Sequence, residues 1–120
     1  MTLGLFAGYG LELEYMVVDR DAFAVRPIVD ELLKHFAGSY VGDHEDGPIS
    51  WSNELALHVL ELKNTAPVPS LRGVAAQFQQ SVLRLEAALA AMGARLLPGG
   101  MHATMDPARC GRQSSRAAAE

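Results

Sequence analysis

A single cysteine, Cys110, stands in the 120 residues. One thiol closes no disulfide within the chain and builds no cysteine metal cluster, which agrees with a reducing compartment. No apolar run approaches the ~20 residues that a membrane-spanning helix needs, and the first ten residues lack the basic region that starts a signal peptide. Cytoplasm is therefore the expected location. Positive charge is also short, since ten Lys and Arg face fourteen Asp and Glu for a formal net charge of −4. Such a chain has no electrostatic reason to approach phosphate backbones or anionic membranes, so neither nucleic acid nor a membrane is expected as a partner. What is present is 49% hydrophobic residues against 20% charged. That balance excludes a disordered, collagenous or coiled-coil chain and leaves a globular domain with a real core.

Charge is unevenly spread. Residues 108–120 hold three Arg and one Glu, so this tail is basic and residues 1–107 carry a net −6. The tail has no apolar residue larger than Ala and Cys and no periodicity, and disorder is expected there.

The segment Tyr9 to Asp19 alternates: Leu11, Leu13, Tyr15 and Val17 fall on one face, and Glu12, Glu14, Met16 and Val18 on the other. A strand is predicted. An amphipathic stretch then predicts a helix over 27–37, with Pro27 at its first position, Ile28, Leu32, Leu33 and Phe36 as its buried side and Gly38 as its stop. The run GDHEDGP at 42–48 reads as a loop. Leu71, Ala75, Phe78, Val82, Leu85, Leu89 and Met92 recur at steps of four and three, which predicts the longest helix, with Ser70 as N-cap and Gly93 as stop. Ala94 to Leu97 is a short apolar strand running into the loop PGGMH. This order of elements predicts an α+β domain with helices on one face of a sheet.

Residues two apart on a strand share a face at ~6.5–7 Å, so Glu12 and Glu14 are held side by side. If that face is buried, burial and like charge each raise a carboxylate pKa, and a divalent cation removes the conflict. On an exposed face the two would merely be solvated. The segment SNELALHVLELKN at 52–64 admits two readings. As a helix it places Glu54, His58 and Glu61 at i, i+4 and i+7 on one face, the spacing of metal-binding bundles and of an iron or zinc site. As a strand it gives Glu54 and Glu61 opposite parity, and they share a face only where a bulge or a turn inserts a residue. Trp51 and Ser52 favour the strand. His58 by itself reads as an ordinary half-buried histidine more readily than as a ligand.

Gly4, Gly8 and Gly10 are not followed by Gly-Lys-Ser/Thr and form neither a P-loop nor a dinucleotide fingerprint. No nucleophile elbow is present, and Cys110 is incidental. In Leu97-Pro98-Gly99-Gly100-Met101-His102 an imidazole follows two glycines that allow the backbone close to a ligand, which makes His102 a candidate catalytic residue.

Taken together, GLELEYMVVDRD at 10–21, SNELALHVLELKN at 52–64 and LLPGGMHATMDP at 96–107 resemble the N-terminal part of the glutamate-cysteine ligase family, nearest its bacterial carboxylate-amine ligase branch. The resemblance covers about residues 4–107 and implies that Glu12, Glu14, Glu54 and Glu61 hold magnesium around ATP phosphates. It supports strand over helix for 54–62, with a bulge reconciling the parity. The implied fold is like that of glutamine synthetase, in which an antiparallel sheet curls around the active site. Four hard carboxylates suit Mg²⁺ over zinc and would hold about two ions. The implied reaction phosphorylates the γ-carboxylate of glutamate with ATP, and the amino group of cysteine or another amine attacks the acyl phosphate. After Gly100-Met101-His102 the family pattern continues with proline and an aromatic residue, whereas Ala103 and Thr104 stand here. Residues 1–107 are expected to be the N-terminal portion of such a catalytic domain, and 108–120 a basic tail out of frame with it. A truncated ligase of this kind is expected to form a homodimer or pair with a complementing chain. The alternative is a non-enzymatic metal-binding or interaction module built on Glu54, His58 and Glu61.

Overall fold

Alternating strands, two amphipathic helices and tight glycine turns build one sheet with the helices on one face. The structure, a computed structural model, describes residues 2–104, 106 and 108. In chain order its elements are β1 (Glu12–Asp19), α1 (Val29–Ala37), β2 (Asp43–Asp46), β3 (Ile49–Asn53), β4 (Val59–Asn64), α2 (Val74–Ala91) and β5 (Ala94–Pro98). The strands lie in the order β2-β3-β4-β1-β5, each antiparallel to its neighbours. The α+β architecture expected from the sequence is the one observed. Among the described residues no helix is long and apolar enough to cross a membrane.

The period-two pattern of β1 sets the two faces of the sheet. Leu13 opposes Leu62 and Tyr15 opposes Leu60 on β4, while Val17 opposes Leu96 on β5. One strand further, Trp51 opposes Leu62. All of these side chains but Leu13, which is 38% exposed, pack with Leu32 and Leu33 of α1 and Phe78, Leu85 and Leu89 of α2 into a single core. Each fully buried leucine there is worth about 1.5–3 kcal/mol. The alternate residues of β1, Glu12, Glu14, Met16 and Val18, fall on the face away from the helices.

Several boundaries differ from the sequence reading. Helix α1 starts at Val29, two residues after Pro27, and ends as expected at Gly38, which adopts φ 85° and donates its N–H to the Lys34 carbonyl. Helix α2 starts at Val74 with Gly73, at φ 79°, as N-cap. The Ser70 hydroxyl instead accepts the Arg72 N–H at 3.1 Å, so it closes a turn before the helix, and Leu71 is left 49% exposed. Tyr9 lies outside β1 and bridges to Val68.

The largest difference is at 42–48, read as a loop, where Asp43–Asp46 form β2 and Gly47 at φ 68° turns the chain into β3. An edge strand needs no apolar face, and charge on it discourages pairing with another chain. Asp43 and Glu45 point to solvent, while Asp46 pairs with Arg84 of α2, whose guanidinium also lies 5.6 Å from the centre of the Trp51 ring. The opposite edge is blunted differently: the Leu96 N–H is taken by Glu86 Oε1 at 2.8 Å. Beyond Ala108, the basic tail expected at 108–120 lies outside the described residues.

Candidate metal centre

The register of β1 against β4 places Glu14 directly opposite Glu61. Both sit on the face of the sheet away from the helices, where opposed residues have Cβ atoms ~4.5–5.5 Å apart and like charges repel. Glu54 arrives from the other side. β3 ends at Asn53, and residues 54–58 turn the chain back into β4, with the Glu54 N–H donating to the Val59 carbonyl at 3.1 Å. Ser52 opposes Glu61, so Glu54, two residues on, emerges on the same face. One carboxylate oxygen from each of Glu14, Glu54 and Glu61 can be chosen such that all lie within 4.8 Å of one another.

This geometry decides between the two readings of residues 52–64. There is no helix, so Glu54, His58 and Glu61 do not form an i, i+4, i+7 face. Nor is 54–62 one strand with a bulge, because a turn separates Glu54 from Glu61 and their parity along the chain loses its meaning. The shared face comes from chain reversal.

Of the four glutamates picked out in the sequence, three converge and Glu12 stands beside them. Its register partner is Lys63 on β4. The carboxylates are strongly interdependent: a hydrogen bond with the Glu54 carboxyl, followed by burial and the negative charge of Glu12 and Glu54, pushes Glu61 up to about 7, against a weaker opposing pull from Lys63.

The two histidines are placed elsewhere. His58 is 1% exposed in the β3–β4 turn, and its ring nitrogens have no hydrogen-bond partner among the described residues. Burial, and then the nearness of a second titratable imidazole, His102, lowers its pKa. His102 lies with Nε2 2.7 Å from the Phe23 carbonyl, while its Nδ1 accepts the Thr104 N–H at 3.2 Å. Those bonds put the proton on Nε2. The chain thus engages both ring nitrogens of His102, and the carboxylate group assembles without either histidine.

Gly99 and Gly100, read as permitting close backbone approach, come close to Glu14 itself. Gly99, at φ 105°, donates its N–H to the Glu14 carbonyl at 3.1 Å, and Gly100 lies against the Glu14 carboxylate. Ser52 and Lys63 are neighbours that the sequence reading did not single out. Only knowledge of the hairpin register would have found them. Beside the cluster, Gly10, Glu12, Lys63, Asn64 and Thr65 border a recess of about 380 Å³.

The donor set fits a hard divalent cation. It is all oxygen, it offers both an exposed and a half-buried carboxylate, and its mutual repulsion is what a cation would relieve. Thiolate and imidazole ligands, which favour zinc, are not part of the group.

Residues 9–117 match the family described as glutamate-cysteine ligase family 2, GCS2. A protein of Archaeoglobus fulgidus, described as an uncharacterized protein, is 37% identical over 93 residues, which is 78% of this chain and 25% of that protein. The chain therefore spans about a quarter of the length of this relative. No solved structure matches.

Proposed function

The chain belongs to glutamate-cysteine ligase family 2, and from that premise we propose that it carries the metal-binding part of an ATP-dependent carboxylate-amine ligase. The observation that supports this reading is the meeting of Glu14, Glu54 and Glu61 on the face of the sheet away from the helices. In this reading residues 1–107 are the N-terminal portion of the catalytic domain, with the sheet curling around the site as in a glutamine synthetase-like fold. Groups outside residues 1–107 complete the site.

Glu14, Glu54 and Glu61 would hold Mg²⁺, with Glu12 beside them. The ion supplies charge neutralisation at the transferred phosphoryl group. The chemistry proposed has two steps. An oxygen of the glutamate γ-carboxylate bonds to the terminal phosphorus of ATP and ADP leaves. The amino nitrogen of cysteine or another amine then bonds to the acyl carbon, phosphate leaves, and the nitrogen loses a proton.

For the residues of this chain the task is positioning. Each carboxylate sits on, or immediately beside, a hydrogen-bonded strand, so its backbone is already placed and only side-chain torsions are left to order on binding. Lys63, opposite Glu12, is the nearby basic group that tempers the negative field. His102, bonded to the Phe23 carbonyl, fixes the loop after β5 over this region and has no proton-transfer task in this scheme.

The reading is tested by titrating Mn²⁺, as a Mg²⁺ surrogate, into the 120-residue chain and its Glu14→Gln and Glu61→Gln variants. Binding weakened at least about tenfold by either substitution is expected, as for loss of one charged ligand. Metal binding that is lost in a His58 variant and kept in Glu14→Gln would sink the magnesium reading. ADP release that depends on glutamate and an amine, and is lost in Glu14→Gln, tests the ligase part. Mn²⁺ binding without ADP release, even with the missing portion of a family member supplied, would leave a non-enzymatic metal-binding module.

A further inference from the structure

Two successive glycines of the β5 loop touch the same residue of the cluster. Gly99 holds the main chain of Glu14 through its N–H, and Gly100 lies against the side chain of Glu14. A Cβ added to Gly100 would stand closer to Glu14 Oε2 than the 3.0 Å below which Cβ atoms are not found, and 3.5 Å from Cδ. Apart from its chain neighbours, those two atoms are all that such a Cβ would meet within 4 Å among the described residues. Gly100 is also absent from the glycines with positive φ, so alanine there carries no backbone strain.

Glycine at 100 is thus not explained by backbone conformation or by packing against the fold. A methyl group would press on one thing, the Glu14 carboxylate, which ends a flexible side chain and can swing aside. It would swing by more than half an ångström from a place where it shares a small volume with Glu54 and Glu61. Tolerances for a functional constellation are about 0.5 Å, so the displacement matters to a shared ligand and very little to the fold.

We propose that Gly100 is a positioning residue of the metal centre: having no side chain, it leaves the space in which the Glu14 carboxylate stands close enough to Glu54 and Glu61 to share a divalent cation. The inference rests on the metal-binding reading above. Gly99 completes the device, because its hydrogen bond to the Glu14 carbonyl fixes the distance between loop and strand that brings Gly100 there.

The test is a double-mutant cycle read by Mn²⁺ binding, with free Mn²⁺ followed by electron paramagnetic resonance. It uses the 120-residue chain, Gly100→Ala, Glu14→Ala and the double variant, each also melted without metal. Gly100→Ala is expected to weaken Mn²⁺ binding about tenfold or more, as changes around metal ligands do. Its metal-free melting midpoint stays at that of the parent chain. In the Glu14→Ala background the same substitution changes Mn²⁺ affinity no further, since the group it displaces is gone.

Parent-like affinity in Gly100→Ala overturns the proposal. So does an equal loss in both backgrounds, which would mark a general effect on the loop, and so does failure of Gly100→Ala to fold, because only the carboxylate is to give way. If the parent chain binds no Mn²⁺ and Glu14→Ala changes nothing, the metal-binding reading itself fails and the proposal falls with it. If Glu14→Ala weakens binding while Gly100→Ala does not, the metal reading stands and the role of Gly100 alone is refuted.

Discussion

Glu61 shows how much of a site is visible in single residues and how much is not. The sequence marks it as one of four acidic positions, and strand parity correctly pairs Glu12 with Glu14. Parity could not join Glu54 to Glu61, because the alternation Leu55, Leu57, Val59 is equally at home in a strand, a helix or a hairpin whose turn it hides. Once the hairpin closes, Glu61 titrates unusually. Its folded pKa, about 7, lies above the 4.5 of an unconstrained glutamate, so between those values the unfolded chain has released a proton that the folded one keeps. Stability then falls as pH rises through this window and levels off above it. Asp19 has the opposite sign: N–H groups of Ala22 and then Asp21 lower its pKa below 3.8, and its contribution is lost only as acid protonates it. Working above pH 5 leaves Asp19 out, but the lowered pKa of His58 acts in the same range with the opposite sign, stability from it rising with pH up to about 6.5, so Glu61 is isolated by the difference between the parent chain and Glu61→Gln. In chelator, the urea midpoint of the parent chain relative to that of Glu61→Gln is expected to fall from pH 5 to 7.5. A difference between the two midpoints that stays constant over that range would remove Glu61 as an unusual acid.

At the scale of elements, apolar periodicity located α1, α2, β1 and β5 to within a few residues. It failed where polarity and structure part company. Asp43–Asp46 form a strand that borrows its stability from the pairing with β3 and from Arg84, neither of which is local in sequence. The N-terminus of α2 was misplaced because Ser70 offers a good cap three residues too early. Leu71 and Leu85 separate the two accounts of that helix. Leu85 is fully buried against the sheet, and Leu85→Ala is expected to cost about 2–5 kcal/mol. Leu71 precedes the helix and is half exposed, so Leu71→Ala should stay within about 0.5 kcal/mol. Equilibrium urea unfolding measures both, and similar losses at the two positions would restore the longer helix.

Across the whole molecule, the three carboxylates and the glycines that press on Glu14 come from residues 14, 54, 61, 99 and 100, which meet only in the folded sheet. Nothing in the sequence spacing brings residue 14 to residue 100. The sheet order does, by placing β1 between β4 and β5. The site therefore exists in the native state and not in the unfolded chain, and a cation that binds it must stabilise the whole fold by mass action. At a free Mg²⁺ concentration 100 times its dissociation constant that stabilisation is about 2.7 kcal/mol. Because β1 and β4 are central strands, it is felt in global unfolding and not in fraying of an edge. A rise in melting temperature with Mg²⁺ is expected, reversed by chelator and abolished in Glu14→Gln. An equal rise in the parent and in Glu14→Gln would trace the effect to ionic strength acting on an acidic chain and not to a site shared by β1, β4 and the β5 loop.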